Sequence, residues 1–505
     1  MKKLLFFLIC SFTTTLLQAQ RIDRSKFIRD SLDNYVNRAL TNWRIPGAAV
    51  GIVKDNKIVL IHCYGIKELG IQAKVDNNTL FMIGSNTKAF TATALAAMQA
   101  EKKISLNDRV NKYLPDFKLY DPIANTGATL RDLLCHRLGF ETFQGDFTYY
   151  NSDLTRQQVI QTMGKLKPVY QFRTHWGYTN AAFVTAGEAL ARISGKPWEQ
   201  YIKESLFAPI GMTYSLALSA DLQKSFNKAA AHTIADGRLT AIPYLQDDNL
   251  APAGSISSSA SDMCKWMLAL LNDGKVGTRQ VIPAAAIAAT REPQDIVGQT
   301  ELGEFEVYGL GWFLEQYHDH RIVLHTGGVS GFVSSVTLVP DLKLGIVILT
   351  NSDKNDLIST LNREVIDSYL KLPYHNYSDR SLSQARAEDA AEQQTDKKLR
   401  DSIALNPRPA QNLNDYTGTY TNEIYGNITV ARGEANDLMM RFEHHPKMVA
   451  HLQSLGGNRF YAVFSDPEFG KSVFPFYVQN GIVTGFRLKV ADFVEMTPYD
   501  FRKVK

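Results

Sequence analysis

Residues 24–43 carry apolar side chains at helical spacing, with Phe27, Leu32, Tyr35, Val36 and Leu40 on one side of a predicted helix. The period then shortens to that of strands. Residues 48–53 and 58–64 are two apolar runs joined at Asp55-Asn56, a hairpin signal. From Ser85 to about residue 290 the pattern is mainly helical, with 183–193 and 262–271 as clear examples. Strand-like runs return at 310–315, 321–325, 332–339 and 345–350, with Asp319 and Pro340-Asp341 among the turn residues between them. A helical pattern over 355–372 follows. Strands at both ends with helices between predict an α+β domain, in which one antiparallel sheet draws on both termini beside a helical region.

Residues 379–401 are charged and rich in Ala and Gln, and Pro407 and Pro409 follow. This reads as a domain linker, partly helical, spanning 374–409. From Tyr416 short alternating runs recur between turns: Tyr416-Thr417-Gly418-Thr419-Tyr420, Ile428-Thr429-Val430, Leu438-Met439-Met440-Arg441-Phe442 and Phe474-Pro475-Phe476-Tyr477-Val478, ending near Phe493-Val494. Residues 410–505 are thus expected to form a separate small all-β unit, a barrel or sandwich. The main domain is expected to span 20–373.

Met1-Lys2-Lys3, an apolar run and Gln18-Ala19-Gln20 have the layout of a secretory signal peptide, residues 1–19, cut after Ala19. The rival reading is a lipid anchor on Cys10. An exported protein, periplasmic or secreted, follows from the first reading, with no stable membrane span after cleavage. The formal charge of +4 falls to +2 without Lys2 and Lys3, which gives no reason to invoke nucleic acid. Cys63, Cys135 and Cys264 cannot all pair internally, so they do not form a disulfide scaffold. No cysteine has a Cys-x-x-Cys partner, and no metal or other cofactor is expected. Glu443-His444-His445 and His451 read as surface loop in the end unit rather than as metal ligands.

The chemistry starts at Ser85-Asn86-Thr87-Lys88. A serine hydroxyl needs an adjacent base to act as a nucleophile. A lysine three residues on lies on the same helix face, and an apolar pocket favours its neutral amine. Ser-x-x-Lys also occurs at Ser225/Lys228, in a polar run, and at Ser368/Lys371, on a helix ending at Pro373. Only Ser85 follows an apolar turn and opens a buried-looking helix.

Three further segments give Ser85 its context. Tyr178-Thr179-Asn180 offers a tyrosine that nearby cations can turn into a general base, and an asparagine that can hold a substrate amide. His325-Thr326-Gly327-Gly328 follows a strand, and its glycines let a substrate backbone approach closely. The Gly328 N–H is then placed to join that of Ser85 around a developing oxyanion. The small residues of 252–258 suit a tight loop beside the site, and equally a polar loop capping the helix at Asp262.

The ordered set Ser-x-x-Lys, Tyr-x-Asn and His-Thr-Gly resembles the serine β-lactamase and penicillin-recognising hydrolase superfamily. The similar branch holds class C β-lactamases, D-Ala-D-Ala carboxypeptidases, D-aminopeptidases and esterases. The resemblance spans roughly 30–370 and includes Ile45-Pro46-Gly47, Leu130-Arg131-Asp132-Leu133-Leu134-Cys135-His136 and Tyr308-Gly309-Leu310-Gly311-Trp312. The end unit resembles the β-barrel appended to some peptidase-like members. By this resemblance Ser85 is the acylated nucleophile, Lys88 helps take its proton and Tyr178 is the shared base and proton shuttle. Asn180, His325, Thr326 and Gly327 would bind substrate, and Ser85 and Gly328 would supply the oxyanion-hole N–H groups. His325 stands where many β-lactamases have lysine, which favours peptidase- or esterase-like chemistry over efficient β-lactam turnover.

The expected function is an exported serine hydrolase acting on a peptide amide or an ester: a D-residue peptide, a cell-wall fragment or a small ester. A β-lactamase and a non-catalytic binding protein on the same fold are the alternatives. The expected partner is a small-molecule or short-peptide substrate, and assembly into a homo-oligomer through the end unit is left open.

Overall fold

The computed structural model describes residues 25–299, 305–434 and 437–504. The expected leader, with Cys10, lies outside them. The helix expected over 24–43 is two helices, α1 (Lys26–Asp30) and α2 (Leu32–Trp43). Ser31 divides them because its φ of −133° leaves the helical range. Arg44, left-handed at φ 56°, ends α2.

Strands β1 (Gly47–Lys54) and β2 (Lys57–Glu68) form the expected hairpin. Asp55 and Asn56 both have positive φ, 49° and 61°, as a two-residue turn matched to strand twist requires. With β3 (Ile71–Lys74), β4 (Asp295–Gln299), β5 (Phe305–Tyr308), β6 (Phe313–Tyr317), β7 (His320–Val329), β8 (Phe332–Val339) and β9 (Leu344–Thr350), they make one antiparallel sheet among the described residues. Its order is β4-β5-β6-β7-β8-β9-β1-β2-β3. The N- and C-terminal parts of the sheet are thus joined at β1–β9, where Ala48 faces Thr350 and Lys54 faces Leu344.

Both faces of the central strands are covered, which is why they read as unbroken apolar runs. Along β1, Ala48, Val50 and Ile52 face the layer that contains α2 and α3 (Leu357–Leu370). Ala49 and Val53 face the opposite core, which contains helices 87–100 and 260–271. Alternation along a strand splits its side chains between two layers in this way.

Residues 377–404 form a single helix, α4 (Tyr377–Ala404). It is mostly exposed and carries i,i+4 pairs such as Lys397–Asp401 and Arg400–Asp396, the means by which a polar helix bridges between domains. The end unit is a closed eight-stranded barrel running from Gly418–Asn422 to Tyr499–Lys503. Its interior is filled by side chains, among them Phe460, Phe474, Phe476, Phe486 and Phe501, so it is a packed core rather than a pore. Phe493-Val494, expected at the end of the β unit, lies instead in a loop before the last strand. Among the described residues no helix is long and apolar enough to cross a membrane.

Candidate active site

Ser85 sits in a single 3-10 turn, Gly84–Asn86, rather than inside the helix it precedes, Thr87–Ala100. The tighter turn still stacks residue i over i+3. The Asn86 side chain fixes it by donating to Ser334 Oγ at 2.9 Å and Ile83 O at 3.3 Å. The helix that follows is almost wholly buried, and Lys88 is 0% exposed.

Lys88 Nζ donates to Ser85 Oγ at 3.0 Å, Asn180 Oδ1 at 2.7 Å and Ala253 O at 2.9 Å. It also lies 4.6 Å from the centroid of the Tyr178 ring. Burial pushes this amine down to about 7, against the pull of the Asp146 and Asp247 carboxyls. Residues 252–258, expected as a loop, are instead the end of a short helix (Ala251–Gly254) and a two-residue strand (Ser257–Ser258); they serve the site through the Ala253 carbonyl, and Ser259, just beyond them, caps the next helix. Ser259 accepts from Asp262 N, and Ser255–Ser258 are fully buried. The other Ser-x-x-Lys pairs lie elsewhere: Lys228 binds Gln223 O, and Lys371 caps α3 at its C-terminal end.

The Tyr178 hydroxyl interacts with Ser85. Its ring packs on His136, 4.3 Å between centroids. His136 Nδ1 accepts the Thr179 N–H at 3.0 Å, which ties 130–136 to the Tyr178 segment. The sequence suggested that cations would depress the Tyr178 phenol. Its surroundings do the reverse: burial raises it, Asp146 adds to the rise, and only the interaction with Ser85 opposes it.

His325 is 1% exposed, and both its ring nitrogens are engaged. Nδ1 donates to Thr326 O at 2.6 Å, which leaves Nε2 to accept the Tyr308 hydroxyl at 3.0 Å. Burial, reinforced by Lys88, pushes the imidazole down to about 3, so it is neutral. It stands 6.2 Å from the Tyr178 ring, as part of the wall behind it.

Strand β7 crosses directly over the Ser85 turn. Gly84 has φ 51°, and a methyl group there would lie 3.0 Å from Gly328 N. A methyl on Gly327 would lie 1.9 Å from Ile83 O and 2.7 Å from Ser334 Oγ. Gly327→Ala must therefore lift the strand off the turn. We expect it to destabilise the fold by about 2 kcal/mol or more, read as a melting temperature several degrees lower, and to weaken activity with it. Gly328 is different: a methyl there meets nothing nearer than the ring of Phe493, at 3.4 Å.

Two carboxyls of the site, Asp146 and Asp247, carry no local sequence signal. Asp146 Oδ2 accepts from Asn180 Nδ2 at 2.5 Å, and Asp146 is pushed up to about 7 by burial. Asp247 is buried nearby and held well above the usual carboxylate range, first by burial and then by Asp146. Tyr308, His136 and Ala253 O, from segments that the sequence singles out, complete the surroundings. Phe493 comes from the barrel. His445, read as surface loop, is buried between the units: its Nε2 donates to Tyr150 O at 2.9 Å. The thiols of Cys135 and Cys264 are pushed up to about 12 by burial, unlike reactive cysteines.

Residues 32–371 match the family model described as Beta-lactamase, and the chain belongs to that family. Residues 404–503 match a second model, described as a domain of unknown function (DUF3471). Unguisins hydrolase ungD of Aspergillus violaceofuscus is 27% identical over 438 residues, covering 79% of this chain and 76% of that protein. The octameric penicillin-binding protein homologue from Pyrococcus abyssi superposes with a TM-score of 0.61 at 18% identity, covering 94% of this chain and 99% of that chain. A D-stereospecific amidohydrolase from Streptomyces sp. gives 0.55 at 20% identity, covering 66% of this chain and 97% of that one. The likeness to these two structures is one of fold.

Proposed function

We propose that the protein is an exported serine hydrolase that forms an acyl-enzyme on Ser85 and cleaves a peptide amide or an ester. The observation that carries this reading is a desolvated amine, Lys88 Nζ, 3.0 Å from Ser85 Oγ. Its downward shift to about 7 leaves a neutral fraction that can accept the serine proton near neutrality. Ser85 Oγ then attacks the carbonyl, and the N–H groups of Ser85 and Gly328 receive the oxyanion. Tyr178, with its phenol held protonated, relays a proton to the departing amine or alkoxide rather than acting as a standing phenolate. Water then attacks the acyl group, which returns Ser85.

Asn180 is committed to Lys88 through its oxygen and to Asp146 through one N–H, which leaves its second N–H for a substrate carbonyl. A D-residue peptide, a cell-wall fragment or a small ester fits this reading. The names of the similar proteins, a hydrolase of unguisins and a D-stereospecific amidohydrolase, support it. A β-lactamase is the second reading, favoured by the same Ser-Lys-Tyr arrangement. The neutral, fully engaged His325 weighs against it, because it offers no fixed positive charge for a β-lactam carboxylate.

Intact mass after exposure to a fluorophosphonate, and separately to a penicillin, tests the proposal. We expect fluorophosphonate labelling of wild type and none of Ser85→Ala, with penicillin left unconsumed. Rapid penicillin turnover would shift the reading to β-lactamase. Folded wild type that takes no label would leave a binding protein on this fold.

A further inference from the structure

The Asn180 side of the site is held from the barrel. The backbone N–H groups of Gly145 and Phe147 donate to the two carboxyl oxygens of Glu495, each at 2.9 Å. Glu495 is 0% exposed, and the Tyr499 hydroxyl braces it at 3.0 and 2.9 Å. The Phe147 ring stacks on the barrel's Tyr425 at 4.5 Å. The residue between the two anchored amides is Asp146, whose carboxyl receives Asn180 Nδ2 at 2.5 Å. Asn180 in turn receives Lys88 Nζ at 2.7 Å, and Lys88 reaches Ser85. The connection is continuous from the barrel to the Ser85 hydroxyl.

We infer that Glu495 is a positioning residue for the hydrolase proposed above. It fixes Asp146 through the backbone on either side, and Asp146 sets the Asn180 amide that orients Lys88. The inference rests on the reading of Ser85 as nucleophile. The physical reason lies in the acceptor geometry. The Glu495 carboxyl turns one oxygen to each of two diverging N–H groups, whereas an amide of the same size offers one carbonyl oxygen and turns an NH₂ toward the other.

Docking of the barrel does not depend on Glu495 alone. Asn151 Nδ2 donates to Asp466 Oδ2 at 3.0 Å, Asp153 N to His444 O at 3.0 Å, and the Tyr150 hydroxyl to Glu468 at 2.7 Å. Positioning and docking can therefore be separated.

The test uses the full chain as wild type, Glu495→Gln, Tyr499→Phe and Asn151→Ala. The readouts are the rate of Ser85 modification by a small fluorophosphonate and amide hydrogen exchange over 140–150 and 178–184. Glu495→Gln is expected to slow labelling about tenfold, in line with the cost of small misplacements of a catalytic group. Exchange should rise in both segments. Tyr499→Phe keeps the ring packing and removes only the brace, so it should move both readouts the same way by about threefold, and it serves if Glu495→Gln does not accumulate. Asn151→Ala breaks an interdomain bond away from the connection and should label within about twofold of wild type. Wild-type labelling rates in Glu495→Gln and Tyr499→Phe would overturn the inference. So would an equal loss in Asn151→Ala, which would make the effect one of docking. If wild type takes no label, the nucleophile reading fails separately. Exchange then decides: a rise at 178–184 in Glu495→Gln supports the connection, and no rise there overturns it.

Discussion

Lys88→Met is expected to slow acylation of Ser85 by about 10³-fold, within the range that a positioned general base contributes. Methionine keeps the volume and the burial but removes both the base and the donor. Asn180 Oδ1 and Ala253 O then lose the partner they share. The pH profile should change too. In the proposed mechanism a neutral amine is the active form, so the wild-type acylation rate should climb as pH rises through about 7 and then level off. The variant should lose that limb. Stopped-flow acylation by a chromogenic ester across pH 5–9 measures both effects, and a variant that keeps the limb would assign it to another group. Stability carries the same sign. The folded chain releases the Lys88 proton near 7 and the unfolded chain near 10.5, so between those values the unfolded state holds the extra proton. The penalty of burying this lysine is full below about 7 and disappears above 10.5. Lys88→Met should accordingly flatten the rise of melting temperature with pH over that window.

Tyr178→Phe should cost about 10³-fold in kcat/KM on an amide and much less on a p-nitrophenyl ester. The ring stays packed against His136 and beneath Lys88, and only the hydroxyl is lost. An amine must be protonated as it leaves, whereas nitrophenolate leaves unaided. Steady-state kinetics on a matched amide and ester would show the split. Equal losses on both would mean that the tyrosine acts in the attack step instead of in the departure.

The parts of this site that could be read from sequence are those whose signal is local. Ser85 and Lys88 share a turn, Tyr178 and Asn180 a helix start, and Gly327 and Gly328 a strand with no room for a side chain. The sheet was legible from its apolar runs, and the hairpin from Asp55-Asn56. The rest has no local pattern. Ala253 enters through a carbonyl oxygen, which every residue possesses. Asp146 follows a glycine in an ordinary-looking loop, and its role appears only once Asn180 lies against it. Glu495 and Phe493 reach the site from another domain, and Phe493 sits in what looked like the end of a strand. The polarity of 379–401 suggested a linker, yet helix-compatible ion pairs make it one long helix.

The pairing of β1 with β9 has a consequence for how the chain comes to be folded. Ala48 and Thr350 are sequence-distant by roughly 300 residues, yet they are neighbours in the middle of the sheet. Until β9 is available, β1 presents an open apolar edge with nothing native to close it, the kind of edge that invites pairing between chains. Closing so long a loop also comes late, because its entropy must be overcome before the contact rewards it. A nascent chain cannot finish this domain from its N-terminal portion, however correct each helix already is. Its quality control has to act on the first half while that half waits for the second.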